Sequence, residues 1–207
     1  MSLVKYNNNS ISAVTSAASM PSGAMALIKT LTASSSSTLS FVDGSDGVTL
    51  DATYPIYVFK FINIHPSAHI EFAFNASIDS GSNYNVAKTT TTTSAFHGEN
   101  DAAGPTYYYI DEDLAQGTGV ARISGNIYTD NDSSMSGQMY LFNPSSTTFV
   151  KHFITNTQRM DYSSAGYTNQ WLSAGYMNTT SAVDAIQFSM VSGTFDGKIK
   201  LYGIKDS

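Results

Sequence analysis

Short apolar segments with a two-residue period run along the chain, and two of them show the pattern most clearly. Ile56–Ile64 and His69–Ser77 are both rich in Ile and Phe, and in the second segment every other residue from 70 to 74 is large and apolar. Because successive side chains of a β-strand point to opposite faces, this pattern predicts strands that place their large apolar groups on one face. The Pro66-Ser67 step between the two segments indicates a hairpin-like connection.

The same kind of segment recurs through the rest of the sequence, with turn residues between one segment and the next. Roughly ten strands follow, at the spacing of about 8–12 residues that is typical of β-sandwiches and barrels. The other predicted strands are Met25–Thr32, Thr38–Val42, Val120–Tyr128, Gly137–Phe142, Thr148–Thr155, Trp171–Tyr176, Ala185–Val191 and Lys198–Ile204. Helical periodicity is weak everywhere, so the sequence predicts an all-β, antiparallel β-sandwich that forms one domain over residues 25–207.

Turn residues predict how several of these strands connect. Asn143-Pro144 initiates a turn between two predicted strands and indicates a hairpin. Asp196-Gly197, between the last two strands, is the strongest short hairpin signal in the chain. Two segments are less determined, because the run Thr89–Thr93 fits either a β-branched polar strand or a low-complexity loop, and Asp111–Gln116 fits one helical turn.

The charge balance argues against several classes of partner. The chain has 10 Lys and Arg against 16 Asp and Glu, a net charge of −6, and only 13% of its residues are charged. So few cations neutralise few phosphates, which argues against binding to nucleic acid or to an anionic membrane. Without cysteine there is no disulfide and no thiolate metal site. No stretch approaches the roughly 18 continuous apolar residues of a membrane helix, and residues 1–25 do not form a Sec signal.

The N-terminal segment over residues 1–24 differs from the rest because it is small and polar and holds only isolated apolar side chains. Such a composition is typical of a disordered tail. It also fits an extended N-terminal arm that becomes ordered against a partner. In that case Val4, Tyr6, Ile11 and Val14 would be the anchors of the arm on that partner.

The histidines do not indicate a metal site. His65 and His69 are four residues apart, as zinc ligands on a helix are, but Pro66 lies between them at a strand boundary. The segment His97–Asp101 (HGEND) places an imidazole and two carboxylates in one loop, which could form an acid–base pair. No nucleophile motif accompanies it, so a solvated loop is the favoured interpretation.

Two further groups of residues suggest ligands only weakly. Asp130–Ser133 offers oxygen ligands at alternate positions, but the glycine and glutamate of an EF-hand loop are missing, so an Asx turn is favoured. Tyr107–Tyr109 and Trp171 offer aromatic faces that could stack on a sugar ring. Three consecutive strand residues cannot form one platform, so packing or an interface is favoured instead. The sequence therefore predicts no catalytic, cofactor-binding or metal-binding residues.

Four longer segments carry a resemblance to a known family. They are VFKFINIHP at 58–66, LFNPSSTTFVKHFI at 141–154, GYMNTTSA at 175–182 and GKIKLYGI at 197–204. Together they resemble a family of virion proteins of tailed bacteriophages that is common in cyanophages and marine phages. The resemblance extends over residues 25–204, and the matching residues are turn and strand residues that mark the family without indicating a reaction.

The resemblance implies a jelly-roll type of β-sandwich that assembles symmetrically, commonly as a homotrimer, on a phage particle. Some members of this family are head cement (decoration) proteins. For such a protein the partner is the major capsid protein, and the location is the outer surface of the phage head. We therefore expect a non-enzymatic virion structural protein that stabilises the head by burying apolar area, with the arm over residues 1–24 reaching the capsid or a neighbouring subunit.

Two alternatives stay open. A tail or fibre module that binds carbohydrate for host recognition would need a concave face with exposed aromatic and amide groups, and the fold alone does not discriminate it from a cement protein. A polysaccharide depolymerase would need paired carboxylates. Glu71, Glu99 and Glu112 are available for that role, but no pattern in the sequence pairs them.

Overall fold

Two antiparallel sheets make up the protein, in agreement with the predicted all-β sandwich. The computed structural model describes residues 24–161 and 166–206. Within these residues the strands are β1 (Met25–Ser36), β2 (Thr38–Val42), β3 (Ile56–Pro66), β4 (Phe72–Ser77), β5 (Lys88–Gly98), β6 (Tyr107–Tyr108), β7 (Ala121–Arg122), β8 (Met135–Phe142), β9 (Lys151–Asp161), β10 (Tyr167–Met177), β11 (Ala185–Met190) and β12 (Phe195–Ile204). A short 3-10 helix, Ile110–Glu112, lies between β6 and β7.

The strand order shows how the chain wraps around its core. One sheet has eight strands in the order β1-β12-β3-β8-β9-β10-β5-β6, and the other has four in the order β2-β11-β4-β7. The run β3-β4-β5 pairs with β8, β7 and β6 on one side and with β12, β11 and β10 on the other. Each of these antiparallel ribbons passes from the large sheet to the small one and back. Ribbons that alternate between two packed sheets in this way are the jelly-roll arrangement that the resemblance implies.

Aromatic side chains fill the space between the small sheet and the β3 region of the large sheet. Phe188 of β11 is at the centre of this cluster, with ring centroids 5.1–6.3 Å from those of Phe41, Phe59, Phe61, Phe72 and Phe74. All of these rings are buried. Several of the contacts are edge-to-face, the arrangement that aromatic pairs prefer. The cluster fixes the small sheet onto the inner face of β3.

The inner face of β5, β9 and β10 is polar instead. Its buried residues include Thr90, Thr92, Ser94, Thr155, Thr157, Arg159, Asn169 and Ser173. Much of this face is covered by the largely irregular segment 109–126 rather than by a sheet. Thr157 Oγ1 donates to the carbonyl oxygen of Ile123 at 2.7 Å, and Thr90 Oγ1 accepts from the backbone N–H of Leu114 at 2.8 Å. Irregular backbone leaves N–H and C=O groups unpaired, and these buried hydroxyls satisfy them.

The turn signals had mixed outcomes. The hairpin at Asn143-Pro144 is confirmed, because β8 and β9 pair in antiparallel fashion on either side of it. The hairpin predicted at Pro66-Ser67 is wrong, because β3 and β4 lie in different sheets. Their aromatic faces meet across the core instead, with the rings of Phe61 and Phe72 5.5 Å apart. The connection after Pro66 therefore crosses from the large sheet to the small one.

The hairpin predicted at Asp196-Gly197 is also wrong. Both residues lie within β12, and β11 and β12 belong to different sheets. The pairing with β3 shifts its register here, and Gly197 has a φ of +131°. A Cβ on Gly197 would lie 2.7 Å from the carbonyl oxygen of Asn63. The glycine thus permits a bulge and a close approach to β3 rather than a turn.

Three other predicted segments keep one of two expected structures or only part of the expected one. Thr89–Thr93 is part of β5, so of the two interpretations the polar strand is the right one. The helical turn starts at Ile110 and ends at Glu112, which covers only the beginning of Asp111–Gln116. The predicted strand Val120–Tyr128 reduces to β7 and a single bridge between Ile70 and Ile127.

The predicted N-terminal arm falls almost wholly on residues 1–23, which lie outside the described residues. Val4, Tyr6, Ile11 and Val14 are among them, so the arm and its contacts stay predictions. Within the described part of the chain, no helix has the length and apolar character needed to cross a bilayer.

Candidate functional site

The outer face of the large sheet carries two neighbouring rows of apolar side chains, one across six strands and the other across four. In one row the register pairs run Leu27, Tyr202, Val58, Tyr140, Ile154 and Ala174. The row beside it holds Met25, Ile204, Ile56 and Phe142. These ten residues together form the outer patch.

The outer patch is unevenly exposed: three of its residues are exposed, Val58 is fully buried, and the other six are half-buried. Leu27 is 55% exposed, Ile154 50% and Met25 42%. The patch contains no Asp or Glu, and the charges in the next row along the sheet are Lys60 and Lys200. A chain with 16 acidic residues therefore presents one sheet surface on which apolar groups and lysines stand without carboxylates. Exposed apolar side chains grouped in this way make the outer patch a candidate interaction surface.

A polar cavity of about 340 Å³ lies on a different part of the molecule, beside the C-terminal end of β9. Its aromatic lining residues are His69, Tyr109, Tyr128 and Trp171, its charged ones are Glu71, Glu112, Arg159 and Asp161, and Gly125 and Asn126 complete it. We refer to it as the end cavity. Strands β9 and β10 contribute Arg159, Asp161 and Trp171, while the other residues come from the connection before β4 and from segment 109–128.

Two arginines pair with the three carboxylates of the end cavity, which leaves one negative charge in excess. Arg159 Nη1 lies 3.0 Å from Asp161 Oδ2. Arg122 Nη1 lies 2.7 Å from Glu112 Oε2, and its Nε lies 3.7 Å from Glu71 Oε1. Burial raises the pKa of Glu112, an effect that Arg122 opposes and Glu71 strengthens. Burial also lowers the pKa of Arg159, while the neighbouring Asp161 opposes this shift.

The aromatic lining of the end cavity is closely packed. Trp171 is only 3% exposed, and its ring centroid lies 4.8 Å from that of Tyr109. The rings of His69 and Tyr128 are 3.9 Å apart. A Cβ on Gly125 would lie 3.0 Å from Trp171 Cζ3, so this position has room only for glycine unless its neighbours move. The backbone of segment 109–128 thus packs directly against the tryptophan.

Two N–H groups at the end cavity have no hydrogen-bond partner among the described residues. They are Trp171 Nε1 and Arg159 Nε. Arg159 also donates through Nη1 to the backbone carbonyl of Asn126. Both side chains are more than nine-tenths buried. A buried donor without a partner is costly.

Residue types that are rare in this chain converge at the end cavity. Its single tryptophan, both of its arginines and two of its three glutamates line the cavity or contact its lining. Sequence reasoning missed Arg159, Asp161 and Asn126, and it found no pairing of glutamates, whereas Arg122 holds Glu71 and Glu112 together. No spacing could have shown this, because the residues come from separate strands and connections. Their scarcity was the one available signal.

The three consecutive tyrosines do not form one platform, as the strand geometry predicts. Tyr109 packs on Trp171, and Tyr107 stacks on Phe96 with ring centroids 6.2 Å apart. Tyr108 is exposed and pairs in register with Thr93. Only one of the three tyrosines therefore reaches the end cavity.

The histidine pair His65 and His69 is separated by its surroundings. His65 Nδ1 lies 2.7 Å from the carbonyl oxygen of Ser133, whereas His69 stacks on Tyr128 in the end cavity. Within residues 24–161 and 166–206, no group of three His, Asp or Glu side chains could hold a metal ion.

The two polar loops singled out from the sequence lie at the surface. His97 Nε2 and Asp101 Oδ1 are 3.3 Å apart, and both side chains are exposed, so this ion pair contributes little to stability. His97 and Glu99 border a surface depression of about 510 Å³. Asp130–Ser133 forms a turn that is closed by a 2.9 Å bond from the Ser133 N–H to the Asp130 carbonyl.

Comparison with known proteins adds little to this geometry. No protein-family model matches the chain, and no curated protein matches it. Among solved structures there is weak similarity to a structure of the Gt strain of infectious bursal disease virus, with 13% identity, a TM-score of 0.16, and coverage of 86% of this chain and 42% of that one. The VP2 subviral particle of infectious bursal disease virus gives 14% identity, a TM-score of 0.13, and coverage of 88% and 42%. The chain thus spans less than half the length of either structure, and TM-scores this low carry no argument about function.

Proposed function

We propose that this chain is a non-enzymatic structural protein of a tailed-phage virion, a cement protein that binds the major capsid protein on the outer surface of the head. In this proposal it acts as a homotrimer and uses the outer patch as its docking surface. The observation that supports the proposal is the outer patch itself, together with the resemblance of the sequence to phage virion proteins.

The requirements of folding do not account for the exposed Ile154 in the outer patch. On β9, Thr155 and Thr157 are buried, whereas Ile154 beside them is half exposed. A strand that needed apolar contacts only for its own core would place them the other way round. The apolar groups on the outer side are therefore better explained by a partner.

The size of the outer patch favours repeated, weak contacts. One row across six strands and one across four, with the strands about 4.8 Å apart and the rows about 7 Å apart, give a patch of a few hundred Å². Burying about 300 Å² contributes about 7 kcal/mol, which is comparable to the cost of about 4–15 kcal/mol for bringing two proteins together. One patch alone would bind weakly. Three patches of a trimer, docked on a lattice together, would bind strongly through their high effective concentration.

Charge indicates what kind of surface the outer patch fits. Lys60 and Lys200 border it, and a partner with carboxylates opposite them would complement it. Two copies docked face to face would bring these lysines close together, so a different protein is the better partner. The net charge of −6 also disfavours a place next to packaged DNA and favours the outside of the head.

The first experiment is the copy number of the protein per virion, measured by quantitative mass spectrometry against the major capsid protein. A cement protein should approach a ratio of one to one. Deletion of residues 1–24 should release the protein from heads if the arm contributes to docking. Only a few copies per particle would contradict the cement assignment and would move the protein to the tail or a fibre, where the end cavity becomes the surface of interest.

A pair of variants tests the outer patch directly. Ile154→Asp places a charge in the middle of the patch and should abolish binding to heads that lack the protein. Gln170→Asp adds the same charge on the neighbouring strand β10 outside the patch, at an exposed polar position, and should bind as the wild type does. Equal binding by both variants, with circular dichroism showing both folded, would mean that another surface docks.

A further inference from the structure

We infer that the end cavity is a binding site for a neutral saccharide. The inference does not depend on the cement assignment, because the end cavity and the outer patch share no residue. Its volume of about 340 Å³ falls in the range of small-ligand sites, which is about 300–1,000 Å³. The lining combines flat aromatic faces with fixed hydrogen-bonding groups, and a sugar ring presents the matching apolar C–H face and hydroxyl edge.

The ion pairs of the end cavity argue for a ligand without charge. Asp161 is held by Arg159 at 3.0 Å, and Glu112 is held by Arg122 at 2.7 Å. A metal ion or a phosphate would have to compete with these internal partners for the same groups. Hydroxyl groups need not compete, since a carboxylate oxygen in an ion pair still accepts a further hydrogen bond.

Donors and acceptors stand close together in the end cavity, as recognition of a hydroxyl requires. The Glu71 carboxylate is only loosely paired, 3.7 Å from Arg122, and has acceptor capacity to spare. The donors that a ligand can reach are on the exposed lining residues Asn126 and His69, whereas Trp171 Nε1 and Arg159 Nε are buried. Since a hydroxyl both donates and accepts, one sugar can serve groups of both kinds.

The aromatic residues supply the apolar part of the site. Tyr109 packs against Trp171, and His69 packs against Tyr128, so each ring is held in place before a ligand binds. Because Gly125 has no side chain, its backbone packs directly against Trp171 and forms one side of the end cavity. A site that is already arranged in this way loses little conformational freedom on binding.

The single tryptophan provides the test, because its fluorescence comes from this cavity alone. The purified full-length chain would be titrated with a panel of neutral mono- and oligosaccharides while Trp171 emission is recorded. We expect a saturable change with at least one neutral saccharide. A glycan array that includes uronic and sialic acids would check the preference for neutral ligands.

Two variants with matched controls locate the binding. His69→Ala and Asn126→Ala remove exposed lining groups and should weaken binding by about tenfold, which corresponds to about 1.4 kcal/mol. His152→Ala and Asn156→Ala remove the same side chains from the outer face of β9 and should leave the affinity unchanged.

Several outcomes would overturn the inference. One is that no neutral saccharide changes the Trp171 emission at millimolar concentration. Another is that all four variants bind with equal affinity. A third is that calcium or inorganic phosphate alone produces the same emission change. Shortened products after incubation with an oligosaccharide would support the saccharide site and overturn the non-enzymatic assignment. A failure of head binding by the Ile154→Asp variant bears only on the cement assignment, so the two proposals can fail separately.

Discussion

The two halves of the large sheet bury opposite chemistry on the inner side. Around β3 the inner residues are rings such as Phe59 and Phe61, which pack under the small sheet. Around β10 they are groups such as Thr92 and Ser173, whose hydroxyl oxygens lie 3.2 Å apart. We refer to these regions as the aromatic half and the hydroxyl half. The side chains of the small sheet cover the aromatic half, whereas the backbone of segment 109–126 covers much of the hydroxyl half. Backbone N–H and C=O groups require polar partners, so the hydroxyl half supplies them.

The largest effect should come from the aromatic half. Phe188→Ala removes a buried ring that contacts five other phenylalanines, and the small sheet cannot close the space without losing its own strand pairing. We expect the free energy of unfolding to fall by about 3–5 kcal/mol, measured by urea denaturation. A loss below about 1 kcal/mol would mean that the aromatic half is not the main source of stability.

Stability in the hydroxyl half should depend on pH through a buried lysine. Lys88 Nζ donates to Asn75 Oδ1 at 2.6 Å and to the Val86 carbonyl at 2.7 Å, and burial lowers its pKa to about 8. The unfolded chain keeps the ordinary lysine pKa of about 10.4, so above pH 8 the unfolded state binds more protons than the folded state. The free energy of unfolding should therefore rise by about 1–2 kcal/mol between pH 8 and pH 10.

Urea denaturation at half-unit steps of pH would show this rise, and Lys88→Met should flatten it. Burial also lowers the pKa of Lys151, so a small rise should remain in the variant. Burial raises the pKa of Tyr57, with Asp51 adding to the shift, so above about pH 10 the unfolded state loses its phenolic proton first and stability should fall. A wild-type curve that declines from pH 8 to pH 9 would contradict the cost assigned to a buried, charged Lys88.

The same contrast explains what the sequence could and could not predict. Alternation in the aromatic half marks its strands and the face on which their large apolar groups pack. In β9 the rule fails, because Thr155 and Thr157 are buried and Ile154 is exposed. The inner side of β9 is covered by the irregular segment 109–126, whose backbone requires polar partners, and its outer side is apolar without serving the core. Neither feature can be inferred from the sequence of β9 alone. The hairpin wrongly predicted at Asp196-Gly197 has the same kind of cause. Gly197 permits a close approach to Asn63 on a neighbouring strand, and the local sequence does not show that contact.

A smaller effect should come from a single hydroxyl. Thr157→Val keeps the shape of the side chain but removes its 2.7 Å hydrogen bond to the Ile123 carbonyl, which would be left buried without that donor. We expect a loss of about 1 kcal/mol in the free energy of unfolding. Thr91→Val makes the same replacement at an exposed position of β5 and should change stability by less than about 0.5 kcal/mol. If both variants behave alike, the inner hydroxyls do not serve the backbone of segment 109–126.

The smallest effect on folding should come from the outer patch, and it separates stability from binding. Ile154→Thr keeps the β-branched shape that suits a strand and removes apolar surface that is already half exposed. The free energy of unfolding should therefore change by no more than about 0.5 kcal/mol, while binding to phage heads should weaken measurably. A variant destabilised by 2 kcal/mol or more would show that Ile154 belongs to the packing of the monomer. The case for a docked partner would then lose its main support.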